Sequence, residues 1–305
     1  MIDILLSTYN GEAFLAEQLD SLISQDYQEF NIIIRDDGSS DNTLRIINQY
    51  KHSYPNKIRV IDNLNTNLGS TGSFFYLLTF SRAEFVMFCD QDDVWDSDKL
   101  QRMQRFYDEN VIQKKKPVLI HSQAEVVDDK LKLMRKETEL FNYKYGMEKS
   151  LCWQIFQNDV TGCTMMINGI MRDLICNAQI NPDNIIQHDW FLANIAYLNG
   201  TKYYFPEKTI KYRQHSHNVI SAKQQSFIKR VMLKIQKGTS FPFYDQVSEL
   251  LKVYNTIAND KNYLILSEFC SLKQQNKIKR IIWFIKNNFY REGNLFFKIY
   301  QLFVC

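Results

Sequence analysis

The first hundred residues alternate between short apolar runs and longer amphipathic stretches. Ile2-Asp3-Ile4-Leu5-Leu6-Ser7 is an apolar run that closes on polar residues. Phe14, Leu15, Leu19, Leu22 and Ile23 then recur at three- and four-residue spacing, which predicts a helix. The β-branched run Phe30-Asn31-Ile32-Ile33-Ile34-Arg35 predicts a buried strand that stops at Asp36-Asp37-Gly38-Ser39-Ser40. A second helix is predicted to begin at Asp41-Asn42-Thr43-Leu44-Arg45-Ile46-Ile47, with Asp41 as its cap. Ile58-Arg59-Val60-Ile61 reads as a third strand and Phe85 to Cys89 as a fourth.

Alternation of this kind predicts an α/β fold, a mostly parallel, Rossmann-like sheet flanked by helices. Ligands of such sheets lie beyond the carboxyl ends of the strands. Polar motifs fall at those ends three times, as Ser7-Thr8-Tyr9-Asn10, Asp36-Asp37-Gly38-Ser39 and Asp90-Gln91-Asp92-Asp93. Their coincidence predicts one shared site. Val118-Leu119-Ile120-His121, Thr164-Met165-Met166-Ile167 and Tyr203-Tyr204-Phe205 are candidate later strands.

Composition changes this picture little: with 45% hydrophobic and 23% charged residues in a chain of 305, there is apolar surface enough for a sizeable core. Six cysteines (Cys89, Cys152, Cys163, Cys176, Cys270 and Cys305) form no CxxC pair and no metal-finger spacing, so a reducing, cytoplasmic setting is expected. Cys89, inside an apolar run, reads as a small buried hydrophobe. Met1 to Leu6 lacks the basic start of a signal peptide, and no uninterrupted apolar stretch is long enough to span a bilayer.

Charge divides the chain. Residues 223–305 hold 14 Lys and Arg against 5 Asp and Glu, whereas the first 222 hold 23 against 29. With the loss of strand signals, this predicts a catalytic domain over 1–222 and a basic, aromatic-rich helical region over 223–305. Within the latter, Ile278, Ile281, Ile282, Ile285 and Phe289 form an apolar stripe beside Trp283, flanked by Lys277, Lys279, Arg280 and Lys286. Phe296, Phe297, Tyr300 and Phe303 extend it. A helix of this kind suits the headgroup region of a membrane, or a place on the catalytic domain with its basic edge in water.

Asp90 and Asp92 alternate at a strand end, so their side chains can converge. Carboxylates packed so closely repel one another unless a cation lies between them, and hard oxygen ligands suit Mn²⁺ or Mg²⁺. Taken alone, the cluster is equally well read as an acidic turn before a helix near Asp98. Asp36-Asp37-Gly38-Ser39 alone is ordinary turn chemistry.

Ser7-Thr8-Tyr9-Asn10-Gly11, Arg35 to Asp41, Asn67-Leu68-Gly69 and Asp90-Gln91-Asp92-Asp93-Val94-Trp95 occur in that order. Together they resemble the N-terminal half of family 2 glycosyltransferases of the GT-A fold, over roughly residues 1–222. The resemblance implies a nucleotide-sugar donor held by Ser7, Tyr9 and Asp37, with Asn67 and Gly69 lining its pocket. It places Asp90 near the ribose and Asp92 on the metal, with Asp93 assisting. Gln187-His188-Asp189-Trp190-Phe191 resembles the acceptor-side motif, so Asp189 is implied as general base, though it also suits a helix start. His188 is a possible assistant. Tyr212-Arg213-Gln214-His215-Ser216-His217 resembles a late motif in which His215 approaches the metal, Arg213 faces the diphosphate and His217 is a further candidate.

The same motifs look most like bacterial rhamnosyltransferases, which implies dTDP-β-L-rhamnose as donor, a lipid-linked saccharide acceptor and a place on the inner face of the plasma membrane. A UDP-hexose or UDP-N-acetylhexosamine donor stays open. The family's QxxRW motif of processive synthesis is absent, which implies one or a few sugars per encounter. Among rival classes, a nucleotidyl- or phosphotransferase finds no GxxxxGK[ST] loop. A non-catalytic sugar-nucleotide binder has little use for Asp189. No nucleic-acid partner is expected, because the acidic body repels phosphate backbones and no nucleic-acid motif is visible.

Overall fold

The structure, a computed structural model, describes residues 1–61, 66–134, 150–215, 242–254 and 260–290. Its frame is an eight-stranded sheet of β1 (Ile2–Thr8), β2 (Phe30–Asp36), β3 (Ile58–Val60), β4 (Phe85–Cys89), β5 (Val94–Trp95), β6 (Val118–Val127), β7 (Met165–Asn168) and β8 (Thr201–Arg213). The spatial order is β3-β2-β1-β4-β7-β6-β8-β5. β1 runs parallel to β2 and β4, and β2 to β3, as the strand–helix alternation predicts. Beyond β4 the sheet is mixed: β7 lies antiparallel between β4 and β6, β8 is parallel to β6, and the two-residue β5 closes the edge antiparallel to β8.

Period-two alternation sends neighbouring residues to opposite faces of the sheet. Ile2, Ile4 and Leu6 of β1 join Phe30, Ile32 and Ile34 of β2 and Phe85, Met87 and Cys89 of β4 in one core. Leu5, Ile33, Val86 and Phe88 enter the other. Since both faces are covered, these strands read as unbroken apolar runs rather than alternating ones. Cys89 is fully buried, as its setting predicts.

On the first face lies α1 (Leu15–Ile23), with Leu15, Leu19 and Leu22 buried at the predicted spacing. Beside it packs α2 (Thr43–Ser53). The cap position falls on Asn42 rather than the expected Asp41, which lies one residue earlier and accepts the Thr43 N–H on Oδ1 at 3.0 Å. α4 (Lys99–Asn110) follows β5. The second face is covered by α3 (Gly69–Leu78), α6 (Gly169–Asn177) and α7 (His188–Asn199), with the short α5 (Leu151–Phe156).

The C-terminal helices α8 (Pro242–Val253), α9 (Lys261–Ser271) and α10 (Lys277–Asn287) extend that second core. Phe156 of α5 meets Phe243, Phe269 and Phe289 edge-on at 5.0, 6.0 and 5.3 Å between ring centroids, and Trp190 of α7 meets Phe243 at 5.6 Å. The expected division near residue 222 falls within 216–241, outside the described residues, as do Phe296, Phe297, Tyr300 and Phe303. Among the described residues, no helix is long and apolar enough to cross a membrane.

Candidate functional site

The motifs at the ends of β1, β2 and β4 converge because parallel pairing fixes their register: Ser7 stands opposite Arg35, and Thr8 opposite Asp36. Asp36 accepts the backbone N–H groups of Gly38 and Ser39 at 3.1 and 2.8 Å, with Thr8 Oγ1 donating to it at 2.9 Å. This bends the chain sharply at Gly38, whose φ of +92° suits only glycine without strain. Asp37 accepts from Leu68 N at 2.7 Å on Oδ1 and from Gly69 N at 2.8 Å on Oδ2, and the fully buried Arg35 pairs with it. Its carboxylate thus holds the free N–H groups at the start of α3. Asn67 completes the tie, its Nδ2 donating to Asp37 O at 3.0 Å. Asp37, Asn67 and Gly69 are one assembly, and Ser7 lies on the strand beside it.

Tyr9 is half exposed, and its backbone is clasped by Gln91: Oε1 accepts Tyr9 N–H at 2.7 Å and Nε2 donates to Tyr9 O at 2.9 Å. Gly11 leaves room for this clasp, because a Cβ there would lie 2.4 Å from Gln91 Oε1. The residue between Asp90 and Asp92 therefore joins the β1 loop to the β4 loop. Nothing in the sequence marked Gln91 for that task.

The acidic cluster divides by burial. Asp93 is fully buried; Asp90 and Asp92 are partly exposed. Burial pushes Asp90 up to about 7, with repulsion from Asp92 and Asp189 adding to it and Lys99 opposing. Burial likewise raises Asp92, against which His215 works. Burial holds Asp93 well above the ordinary carboxylate range, and repulsion from Asp92 and Asp90 adds to it. Lys99 lies beneath the cluster, fully buried, with Nζ donating to Cys163 O at 2.7 Å and standing 3.6 Å from the Trp95 ring centroid. Burial brings its ammonium down to about 8.

The end of β8 clamps this cluster. Arg213 N donates to Asp93 Oδ1 at 3.0 Å, its Nε donates to Asp92 O at 2.7 Å, and its Nη2 pairs with Glu17 of α1. The guanidinium also stacks over Phe14, 4.5 Å from the ring centroid. Its position is thus set by protein groups at the back of Asp92 and Asp93. His215 Nε2 lies 2.8 Å from Asp92 Oδ2, and its ring packs 4.8 Å from that of Phe14. His217 lies outside the described residues.

Asp189 sits in the first turn of α7, where its Oδ1 accepts Trp190 N–H at 2.6 Å. Burial pushes it up to about 7, opposed by hydrogen bonds from the Trp190 and Gly162 backbones and the Asn158 side chain. The cap position falls on Gln187, so Asp189 is not the helix cap but a first-turn carboxylate of near-neutral pKa. His188 is buried against Phe74 and Phe88, with ring centroids 4.3 and 5.6 Å away, and burial lowers it to about 3. Its Nε2 would stand 2.6 Å from a Cβ on Gly162.

The turn Gly162–Thr164 therefore joins both halves of the site. Gly162 supports Asp189, and Cys163 brings its Sγ within 4.8 Å of the ligand oxygens of Asp90 and Asp93. Asn158, Gly162, Cys163, Lys99, Glu17 and Gln91 were not legible as site residues, because each reaches the site through a contact distant in sequence. Among the described residues, the ligand atoms of Asp90, Asp93 and Cys163 lie within 4.8 Å of one another, and the Asp92–His215 pair belongs to the same cluster; its carboxylate oxygens suit a hard divalent cation such as Mn²⁺ or Mg²⁺.

Comparison with known proteins identifies the family and the fold. The model of the glycosyl transferase family 2 matches residues 3–175. The chain is 28% identical over 272 residues to the dTDP-rhamnosyl transferase RfbG of Shigella flexneri, covering 84% of this chain and 85% of that one. Among solved structures, it resembles the mannosyltransferase PcManGT of Pyrobaculum calidifontis in complex with GDP-Man and Mn²⁺, with a TM-score of 0.57 at 14% identity over 98% of this chain and 78% of that one. S. aureus TarS in complex with UDP gives a TM-score of 0.52 at 17% identity, over 91% and 75% of the two chains. Both structures share the GT-A fold expected here, with the mixed sheet flanked by helices.

Proposed function

The chain belongs to glycosyl transferase family 2, and on that premise we propose that it is an inverting, metal-dependent transferase of L-rhamnose from dTDP-β-L-rhamnose. The acceptor in this reading is a lipid-linked saccharide of bacterial cell-wall or capsular polysaccharide synthesis. The observation that carries it is the turn Gly162–Thr164, where the Gly162 backbone bonds Asp189 of α7 and Cys163 Sγ lies within 4.8 Å of the ligand oxygens of Asp90 and Asp93, so that Asp189 stands opposite the acidic cluster. A transferase needs this opposition, with a diphosphate-binding edge on one side and a base on the other.

In this reading Ser7, Tyr9 and the Asp37–Asn67–Gly69 assembly hold the nucleoside, and Asp90 the ribose. Asp92 with Asp90 and His215 would hold Mn²⁺ or Mg²⁺, which offsets charge on the departing diphosphate. Asp93 and Arg213 keep Asp92 in place from behind. Asp189 takes the proton from the acceptor hydroxyl as that oxygen bonds to the anomeric carbon, and the carbon–oxygen bond to the β-phosphate breaks. His188, neutral and packed on Phe74, shapes the acceptor side. Inversion of a β-linked donor gives an α-L-rhamnoside.

Rhamnose as the sugar is supported by the likeness to the Shigella rhamnosyl transferase. A second reading, a UDP-linked donor, is favoured by the likeness to TarS, which was solved with UDP and with UDP-GlcNAc. We take residues 1–222 as the catalytic domain and 223–305 as a basic region that brings it to the cytoplasmic face of the membrane. The test is nucleoside diphosphate release from a panel of nucleotide sugars, with Mn²⁺ or Mg²⁺ and with or without lipid-linked acceptors. Release from dTDP-rhamnose alone is expected. Release from UDP sugars instead favours the second reading, and release from none overturns both.

A further inference from the structure

The apolar stripe of α10 is split between two faces. Phe284 is fully buried and Phe289, just beyond the helix, is 2% exposed; both close the core around Phe269, at 6.0 and 5.4 Å between ring centroids. Ile278, Ile282 and Ile285, spaced i, i+4 and i+7, lie together on the outer face and are 70%, 59% and 58% exposed. The inner face alone satisfies the fold. A helix anchored by Phe284 gains nothing from three isoleucines turned to water, since each leaves unburied an apolar side chain whose covering is stabilising.

Charge says what covers them. Lys277, Lys279 and Lys286 are exposed on the same helix, and α10 contains no acidic residue. From Lys261 to Tyr290 the chain carries six basic residues against one acid, Glu268, whose carboxylate accepts the Trp283 indole N–H at 2.9 Å. Arg280 is tied back to the backbone carbonyls of Gln275 and Lys273, which fixes the rotation of the helix about its axis. An apolar strip bordered by lysines fits poorly against a second protein surface, because interface cores exclude lysine. It fits a bilayer, where isoleucines enter the acyl boundary and lysines stay among anionic headgroups.

We infer that the outer face of α10 is a docking surface for an anionic lipid bilayer, with Ile278, Ile282 and Ile285 inserted and Lys277, Lys279 and Lys286 on the headgroups. An eleven-residue helix cannot span, so it lies in the membrane plane. The face deepens the proposed use of a lipid-linked acceptor and rests on that reading for its purpose.

Flotation of the full chain with vesicles of phosphatidylcholine alone, or mixed with phosphatidylglycerol, tests it. Binding is expected only to the mixed vesicles, and added salt should weaken it. Replacing Lys277, Lys279 and Lys286 by Gln should lower partitioning by about a hundredfold, given about 1 kcal/mol per basic residue near such a surface. Replacing Ile278, Ile282 and Ile285 by Ser should abolish it. Donor hydrolysis in the absence of vesicles, and the far-ultraviolet circular dichroism, should match wild type in both variants. Wild-type flotation by the isoleucine variant overturns the inference, as does indifference of the wild-type chain to anionic vesicles. A dimer in solution that the isoleucine variant dissociates, without any vesicle binding, assigns the face to a second copy instead. Vesicle binding by a chain that releases no nucleoside diphosphate leaves this face standing while the proposed reaction falls.

Discussion

His215 Nε2 stands 2.8 Å from Asp92 Oδ2, joining the end of β8 to the acidic cluster across 123 residues of chain. The histidine opposes the rise that burial imposes on that carboxylate, and so keeps Asp92 available to a cation. Asp92→Ala should therefore abolish Mn²⁺-dependent donor binding in isothermal titration. His215→Ala should weaken Mn²⁺ affinity by roughly 10–100-fold, the usual effect of losing a group that orients or completes a metal site. Unchanged Mn²⁺ affinity in both variants would place the metal elsewhere.

Asp189→Asn keeps the shape of the α7 start while removing the basic oxygen. Donor affinity should stay near wild type, and kcat should fall by about 10²–10⁴-fold. Normal turnover in this variant would assign the proton to another group.

The elevated pKa of Asp189 sets a direction for pH dependence. A base that burial has raised to about 7 is protonated and idle below that value, so kcat/KM should climb with pH and level off above it. The loss is tenfold per pH unit on the acid side. Saturating Mn²⁺ isolates this limb, since bound metal holds Asp90 and Asp92 in their charged forms. A flat profile from about pH 5 to 8 would contradict the assignment.

Gly162→Ala should harm both stability and turnover. The added Cβ would lie 2.6 Å from His188 Nε2, in a buried ring packed on Phe74. Relief of the clash displaces the turn that donates to Asp189. Overpacking of this kind costs about 1–3 kcal/mol, readable in urea unfolding, and kcat should fall with donor affinity little changed.

Phe269 is fully buried among Phe156, Tyr244, Phe284 and Phe289, so the C-terminal helices and the catalytic core meet on it. Phe269→Ala should destabilise the chain by about 3–5 kcal/mol. A single unfolding transition that shifts as a whole is expected, because the helices and sheet share one core. An early separate transition of the helices alone would show that they melt independently.

The parallel half of the sheet was legible because its two-faced strands leave unbroken apolar runs, which end where polar motifs begin. The two-residue β5 was not, since Val94-Trp95 gains its partners only from β8, more than a hundred residues on. The antiparallel insertion of β7 is equally invisible, for strand direction follows from the path of the chain rather than from residue pattern. At the site, the sequence by itself determined which groups are present: carboxylates at strand ends, a histidine after the last strand and Asp189 at the start of an apolar helix. Tertiary structure alone decided their neighbours and therefore their chemistry. Burial raised Asp90 and Asp189, Gln91 clasped Tyr9, Gly162 braced Asp189, and Arg213 settled behind Asp92 and Asp93. The α10 stripe shows the same division, because helical spacing set which residues lie together and only packing of Phe284 on Phe269 decided which face meets water.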